Sequence, residues 1–198
     1  MGDASLVVVA HDGPDYDRYA GLGAFLSARM VELVLLPAED RFESYSASPA
    51  YAKKLTSSIL PSLARGRPVV GIGASLGALA LLHAQRRAPS AFAGLFLQSG
   101  SFFQPRFDPQ ESGFEHYRRI TRFTGRVMRA GSFRTPIPVT ITCGADEENL
   151  ANNRSMAGCL RGQGYDVTFA VGEGGHDWTT WRAALDPHLT NLLQRVSP

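Results

Sequence analysis

Six short apolar segments recur along the chain, and each ends close to a turn signal. The first, residues 5–10, runs into His11-Asp12-Gly13-Pro14, where glycine and proline interrupt regular structure. Continuous apolar runs of this length, in contrast to alternating ones, are typical of parallel strands covered on both faces. The pattern therefore predicts six buried strands, at residues 5–10, 31–37, 68–75, 93–100, 139–145 and 166–172.

Amphipathic stretches of helical length separate these segments. They predict helices at residues 17–29, 49–65, 76–88, 149–162 and 178–196. Regular alternation of strand and helix favours a mostly parallel sheet with helices packed on both faces. We therefore expect the α/β class, a three-layer α/β/α sandwich around a sheet of about six strands. Residues 1–198 fit a single domain, because about 100–200 residues is the usual size.

One connection is much longer than the others. Residues 101–138 separate two predicted strands, whereas ordinary connections in α/β units take about 2–6 residues plus one helix. We interpret this segment as an inserted cap with one helix at residues 115–129. It holds seven arginines against three acidic residues, a net charge of +4, while the rest of the chain carries −2.

Four of the cap arginines share one face of the predicted helix: Arg118, Arg122, Arg126 and Arg129. Two interpretations of this face stay open. It is either a solvated helix surface or a basic wall that binds an anionic ester, with Arg122 in contact with the substrate. The aromatic start of the cap also makes Phe102 a candidate substrate contact.

Composition and charge narrow the function. A hydrophobic content of 44% with 19% charged residues supports a folded core and excludes a disordered chain. The net charge of +2 gives no reason to expect nucleic acid or an anionic membrane as the partner. No apolar run reaches the ~18–20 residues of a membrane helix, and no basic segment precedes the first strand as in a secretory signal. Cys143 and Cys159 form neither a disulfide framework nor a metal spacing, which fits a cytoplasmic protein.

A nucleophile motif stands where the third predicted strand meets a helix. Gly73-Ala74-Ser75-Leu76-Gly77 is G-x-S-x-G. A serine hydroxyl is a weak nucleophile, so it must project from a sharp turn toward a base. We expect Ser75 to be the nucleophile and the Leu76 N–H to bind the oxyanion. The alternative is a tightly packed turn without chemistry. Phosphate binding is disfavoured, because the segment fails G-x-G-x-x-G and lacks a P-loop lysine.

A serine nucleophile needs a general base, and in this chain order the base follows a late strand. The glycine-rich turn at residues 172–178 presents His176 just before the terminal helix. Of the remaining histidines, His11 ends the first strand and is expected to line the pocket. The others are expected to be surface or structurally satisfied residues: His83, His116 and His188.

The base in turn needs an acid, and three adjacent carboxylates close the strand before it: Asp146, Glu147 and Glu148. One of them should orient His176, while the others fit the first turn of the next helix, where the dipole favours acidic side chains. Spacing alone leaves the choice open. A second acidic group, Asp12, Asp15 and Asp17, matches no EF-type loop, so no metal is expected there.

The chain resembles the esterase D and enterochelin-esterase-like branch of the α/β-hydrolase superfamily over nearly its whole length. The resemblance rests on the segments already described, His11-Asp12-Gly13 and Gly73–Gly77, and on Leu97–Ser101, Gly144–Glu147, Asn152–Arg154, Gly175–Trp178 and Trp181. It implies a minimal α/β-hydrolase fold with a serine triad and no cofactor. It also favours Glu147 as the acid, three residues after the glycine that closes its strand.

The sequence departs from the pattern of that family in two places. The N-terminal antiparallel hairpin implied by the resemblance is missing. The second oxyanion donor of relatives is commonly the backbone N–H after Asp-Gly, which here is Pro14, and proline has no N–H. The donor then shifts to Gly13, our choice, or to Asp15, or the oxyanion hole keeps one strong hydrogen bond.

These features predict a serine esterase that cleaves a small-molecule ester through an acyl-enzyme. Ser75 is the expected nucleophile, His176 the base and Glu147 the orienting acid. One alternative is an acyltransferase of the same superfamily. Another is a binding protein that keeps the fold but hydrolyses poorly, suggested by Pro14 and the missing hairpin. No cofactor, metal, nucleic acid or membrane partner is expected, and a homodimer is compatible with the sequence.

Overall fold

The computed structural model describes residues 5–197. Their strands form one six-stranded sheet in which every neighbouring pair is parallel, in the order β2-β1-β3-β4-β5-β6. The strands are β1 (Leu6–His11), β2 (Val31–Leu36), β3 (Val69–Ala74), β4 (Gly94–Gln98), β5 (Pro138–Gly144) and β6 (Asp166–Gly172). The α/β class and the six predicted strands are confirmed. Within the described residues the sheet is wholly parallel.

Helices connect successive strands and cover both faces of the sheet. In chain order the α-helices are α1 (Gly13–Ala20), α2 (Leu22–Leu26), α3 (Arg41–Tyr45), α4 (Pro49–Lys54), α5 (Leu60–Ala64), α6 (Leu76–Arg87), α7 (Tyr117–Arg129), α8 (Leu150–Gly162), α9 (Trp178–Ala183) and α10 (Thr190–Val196). Shorter turns of other helical types lie at Leu55–Ile59, Pro89–Ala91, Pro109–Gly113 and Leu185–Leu189. None of the helices described for residues 5–197 is long and apolar enough to span a membrane.

The sheet separates two hydrophobic cores, because successive side chains of a strand point to opposite faces. On β1, Val7 and Val9 enter the core under α4 to α8. Leu6 and Val8 enter the core under α1, α2, α9 and α10. All four side chains are fully buried. The continuous apolar character of the strand is therefore the consequence of coverage on both sides.

The helix predictions differ from the structure in their continuity. The predicted helix at 17–29 begins at Gly13 and is interrupted at Gly21, which has φ 66°. The predicted terminal helix at 178–196 leaves helical geometry at Asp186, with φ −111° and ψ 129°. In addition, α3 was not predicted. No antiparallel strand is present between residues 5 and 197.

Three neighbouring strands end in the same unusual way at the carboxyl edge of the sheet. Asp12 directly follows β1, Ser75 directly follows β3, and Ser99 directly follows β4. Each is a non-glycine residue with positive φ, between 49° and 55°. Such residues cost about 1–3 kcal/mol each and persist only where their surroundings fix them. The strain is concentrated at the edge where ligands of parallel α/β proteins bind.

Gly13 packs against the backbone of β2 more closely than any other residue type would allow. A Cβ added to it would lie 2.4 Å from Leu35 Cα. We expect Gly13→Ala to lower the free energy of unfolding by about 1–3 kcal/mol, because β2 must shift to accept the methyl group. The matched control is Gly158→Ala on α8, where a Cβ would meet nothing within 4 Å.

The control should raise the free energy of unfolding by about 0.5–1 kcal/mol, since alanine is the better helix former. Urea denaturation of both variants measures the two changes. Equal effects of the two substitutions would contradict the close approach of α1 to β2.

Candidate active site

The turn between β3 and α6 holds Ser75 in a conformation rarely adopted by side-chain-bearing residues. Its backbone angles are φ 55° and ψ −121°. A Cβ on Gly73 would lie 2.7 Å from the backbone carbon of Gly77, so glycine is required where the strand meets the helix. The Ser75 N–H donates to the Gln98 carbonyl (2.9 Å), and the Ser75 carbonyl accepts from the Leu79 N–H (3.2 Å). These contacts hold the serine in place on both sides of the turn.

Two residues far apart in sequence, Glu147 and His176, are hydrogen-bonded. The Nδ1 atom of His176 lies 2.8 Å from Glu147 Oε2. The Glu147 side chain is fully buried, whereas the His176 side chain is 42% exposed. With Nδ1 on the carboxylate, the Nε2 atom of His176 is left for another partner.

Several donors converge on the buried Glu147 carboxylate. Its Oε1 accepts from the Ser99 hydroxyl (2.6 Å) and from the Gly144 N–H (2.7 Å). Burial raises the pKa of this carboxyl. The hydrogen bonds from His176, Ser99 and Gly144 together lower it by more than burial raises it, so the net pKa lies below the usual value. Glu147 is therefore an anion held by fixed donors, as an orienting acid must be.

Ser99 and Trp181 form a second layer behind the carboxylate. The Trp181 indole N–H donates to Ser99 Oγ (2.9 Å), so the Ser99 hydroxyl accepts from Trp181 while it donates to Glu147. The ring of Trp181 also meets His176 edge-on, with centroids 5.1 Å apart. Both residues thus fix the Glu147 and His176 pair without contacting the cleft that contains Ser75.

The loops that carry the acid and the histidine are bonded to each other through their backbones. The Ala145 N–H donates to the Gly172 carbonyl (2.8 Å), and the Asp146 N–H donates to the Gly174 carbonyl (3.1 Å). These bonds extend the pairing of β5 and β6 beyond the ends of both strands. Asp146 and Glu148, the alternative acids, are both exposed.

A cleft of about 350 Å³ brings Ser75 and His176 to one surface. Ser75 Oγ lies 3.1 Å from Ser101 Oγ. The cleft is lined by residues of α3, the turn between β3 and α6, the segment 101–138 and the loops after β5 and β6: Arg41, Phe42, Ser75, Leu76, Ser101, Phe103, Asp108, Glu111, Phe114, Glu148, Asn149 and His176. Its aromatic side chains offer an apolar surface beside the serine.

The charges of the cleft differ from those expected. Three carboxylates line it, those of Asp108, Glu111 and Glu148, against one arginine, Arg41. Burial raises the pKa of Glu111, and the neighbouring charges of Glu148 and Asp108 raise it further. Arg122 is exposed on α7 and is not among the lining residues, so the basic wall expected for the cap does not face Ser75.

Two further substrate contacts expected from the sequence lie elsewhere. His11 is fully buried, stacked on Tyr45 at 4.5 Å, with Nδ1 on the Gly77 carbonyl and Nε2 on the Tyr51 hydroxyl. Burial lowers the pKa of His11 to about 4. The hydrogen bond to Gly77 raises the pKa in part, and the charge of Arg41 lowers it.

Phe102 is also fully buried, and its ring packs on Gly100. The adjacent Phe103 lines the cleft in its place. His11 is the last residue of β1 and Phe102 lies four residues beyond the end of β4, and both side chains enter the packed interior.

Of the two expected oxyanion donors, one lies at the cleft. Leu76 lines it as the first residue of α6, where backbone N–H groups have no partner within the helix. Gly13 is buried against β2 and is not among the lining residues. Within residues 5–197 no group of three or more histidine, cysteine or acidic residues could hold a metal ion.

Arg41 and Ser99 have contacts at the site that the sequence does not predict. Arg41 reaches the site through Asp12, 29 residues earlier, and no local pattern reports such a pair. The role of Ser99 depends on its left-handed backbone, with φ 49°. The segment Leu97–Ser101 was already part of the family resemblance, which is the one signal that marks it.

The fold of the chain is similar to the folds of solved esterase structures. The structure of a ferulic acid esterase superimposes on this chain with a TM-score of 0.70 and 19% identity. The superposition covers 99% of this chain and 86% of the esterase chain. The enterochelin esterase of Shigella flexneri covers 98% of this chain at a TM-score of 0.78 and 21% identity, and the chain spans 53% of that structure. At this identity the likeness shows the fold, which is that of α/β-hydrolases.

The sequence also matches the family described as "Putative esterase" over residues 2–192. The chain belongs to this family, as expected from its motifs. An acetyl esterase of Caldicellulosiruptor saccharolyticus is 37% identical over 59 residues, which is 30% of this chain and 21% of that enzyme. Family membership supports ester hydrolysis and the expected class of carboxylic-ester hydrolase.

The Ser99 hydroxyl predicts a measurable coupling between stability and the site. Ser99→Ala removes a donor from Glu147 and leaves the buried Trp181 N–H without its acceptor. We expect the free energy of unfolding to fall by about 1–3 kcal/mol. The control is Ser58→Ala, which changes an exposed serine and should stay within about 0.5 kcal/mol of the wild type.

The pH dependence of the same variant has a defined sign. The lowered pKa of Glu147 stabilises the folded state above the carboxyl's unfolded pKa, and this contribution is lost as the pH falls through the folded value. Removing a donor raises the folded pKa, so Ser99→Ala should lose less stability on acidification than the wild type. Denaturation curves across acidic pH measure it, and an unchanged pH slope would contradict the role of Ser99.

Proposed function

We propose that the protein hydrolyses a carboxylic ester through an acyl-enzyme on Ser75, with His176 as general base and Glu147 as the acid that orients it. One observation carries the proposal: Ser75 and His176 line one cleft, and His176 Nδ1 is bonded to a buried, anionic carboxylate. Family membership supports the reaction class.

In the acylation step, Ser75 Oγ attacks the ester carbonyl carbon and its proton passes to His176 Nε2. The Glu147 carboxylate holds Nδ1–H and stabilises the imidazolium that forms. The carbonyl electrons move onto oxygen, which the Leu76 N–H at the start of α6 stabilises. Collapse of this intermediate expels the alcohol, which takes the proton from His176.

Deacylation repeats these steps with water in place of Ser75 Oγ. Before acylation the Ser75 hydroxyl must leave Ser101 Oγ, 3.1 Å away, and turn toward His176. Ser101 then acts as the resting partner of the nucleophile.

Substitution of the nucleophile and the base tests whether they act as a unit. Ser75→Ala and His176→Ala should each lower kcat by about 10⁴–10⁶-fold, and the double variant should be little worse. The assay is a panel of p-nitrophenyl esters of increasing chain length. Multiplicative losses in the double variant would show that the two residues do not cooperate.

Labelling by a fluorophosphonate separates hydrolysis from a binding role of the fold. We expect the wild type to be labelled and Ser75→Ala to remain unlabelled, since the probe needs an activated serine. An unlabelled wild-type protein that still binds esters would favour the binding alternative.

The choice of the acid is tested by three neighbouring substitutions. Glu147→Gln should lower kcat/KM by about 10³–10⁴-fold, because the amide cannot hold the imidazole in the same tautomer. Asp146→Asn and Glu148→Gln are matched controls on exposed side chains and should have much smaller effects. Circular dichroism checks the fold of each variant. A larger loss from either control than from Glu147→Gln would refute the assignment of the acid.

A further inference from the structure

Arg41 lies at the edge of the cleft and is held there by the largely buried carboxylate of Asp12. It is the first residue of α3, and its Nε atom donates to both oxygens of Asp12, at 3.1 and 3.0 Å. The Asp12 side chain is 11% exposed, and Asp12 has the left-handed backbone that follows β1. Because β1 neighbours β3 in the sheet, this ion pair lies beside the turn between β3 and α6 that carries Ser75.

The two Nη atoms form the outer edge of the Arg41 guanidinium, and this edge is available to a ligand. Nε carries both bonds to Asp12, and neither Nη atom has a hydrogen-bond partner among residues 5–197. Arg41 lines the cleft together with Ser75 and Leu76, and no other arginine or lysine of the described chain does so. A guanidinium fixed at one edge presents two adjacent N–H donors in a rigid plane at the other.

Oxyanion stabilisation on this side of the cleft is incomplete without a side chain. Leu76 supplies one backbone N–H at the start of α6. In the turn after β1, Gly13 packs against β2 away from the cleft, and Pro14 has no N–H to donate. The Asp15 N–H donates to the Asp12 carbonyl (3.0 Å) and does not line the cleft. A single neutral donor leaves much of the developing charge without a partner, and one missing donor costs about 10²–10³ in rate.

We propose that the Nη edge of Arg41 is the second oxyanion donor of the site, acting with the Leu76 N–H, while Asp12 positions it. As Ser75 Oγ bonds to the carbonyl carbon and its proton passes to His176, the carbonyl electron pair moves to oxygen. That oxygen accepts from Leu76 N–H and Arg41 Nη–H. When the carbonyl re-forms, the charge returns to the leaving alkoxide, which His176 protonates, and Arg41 keeps its proton throughout.

The experiment compares variants of Arg41 with a matched arginine on a neutral substrate, p-nitrophenyl acetate. Arg41→Lys keeps the charge beside Asp12 but removes the planar pair of donors. The double variant Asp12→Asn/Arg41→Gln removes the pair without leaving an unpaired carboxylate. Arg122→Gln on the exposed face of α7 is the control.

We expect both Arg41 variants to lower kcat by about 10²–10³-fold with little change in KM, because the donor acts on charge that develops in the transition state. The control should keep the wild-type kcat. Affinity for a boronic acid, which forms a tetrahedral anion on the serine, should fall in parallel with kcat. Guanidinium ion well below its denaturing range should restore part of the lost kcat in Asp12→Asn/Arg41→Ala, which leaves the space of the guanidinium open.

This inference rests on the proposed function, and its failure is distinguishable from failure of that function. If the wild type is active and Ser75→Ala is not, but the Arg41 variants keep the wild-type kcat, Arg41 is only the structural partner of Asp12 and the inference is wrong. It is equally wrong if the variants raise KM for a carboxylate-bearing ester alone and leave the neutral ester unaffected, since Arg41 would then bind the substrate's anionic group. Activity that survives in Ser75→Ala would instead overturn the proposed function.

Discussion

The buried carboxylate of Glu147 is the charge on which the geometry of the site depends. A carboxylate removed from water must be surrounded by donors, and here they come from three separate parts of the chain: Gly144, Ser99 and His176. Each donor is fixed by a different element of the sheet. The requirement to satisfy one anion therefore joins the ends of β4 and β5 and the loop after β6 into a single arrangement, with Trp181 closing it from behind.

The parallel sheet decides where such an arrangement can form. All six strands of the described chain end at the same edge, and the three that end in left-handed residues, Asp12, Ser75 and Ser99, are adjacent in the order β1-β3-β4. Each strained residue presents a functional group to a partner. The Asp12 carboxylate accepts from Arg41, the Ser75 hydroxyl lines the cleft, and the Ser99 hydroxyl donates to Glu147. The two cores beneath are extensive enough to hold this strain, because both faces of every central strand are covered.

The sequence predicts the sheet well because burial on both faces leaves an uninterrupted apolar signature, as in β1. It predicts Ser75, and Glu147 with His176 as a candidate pair, because the chemistry needs particular residue types at strand ends. It does not predict that the side chains of His11, at the end of β1, and Phe102, beyond β4, are buried, because no local pattern encodes that direction. It fails for Arg41 for another reason: a pair made between β1 and α3 depends on which strands become neighbours in space.

The backbone bonds between the loops after β5 and β6 limit how the site can fluctuate. Ala145 and Asp146 donate to Gly172 and Gly174, so the segments that carry Glu147 and His176 are expected to move together. Thermal opening of the cleft then changes the spacing between these segments and the opposite wall, while the spacing within the pair is preserved. For the proposed reaction, the entropy lost on reaching a reactive geometry would then be confined to few degrees of freedom: the rotamer of Ser75 and the approach of the cleft walls on either side of it.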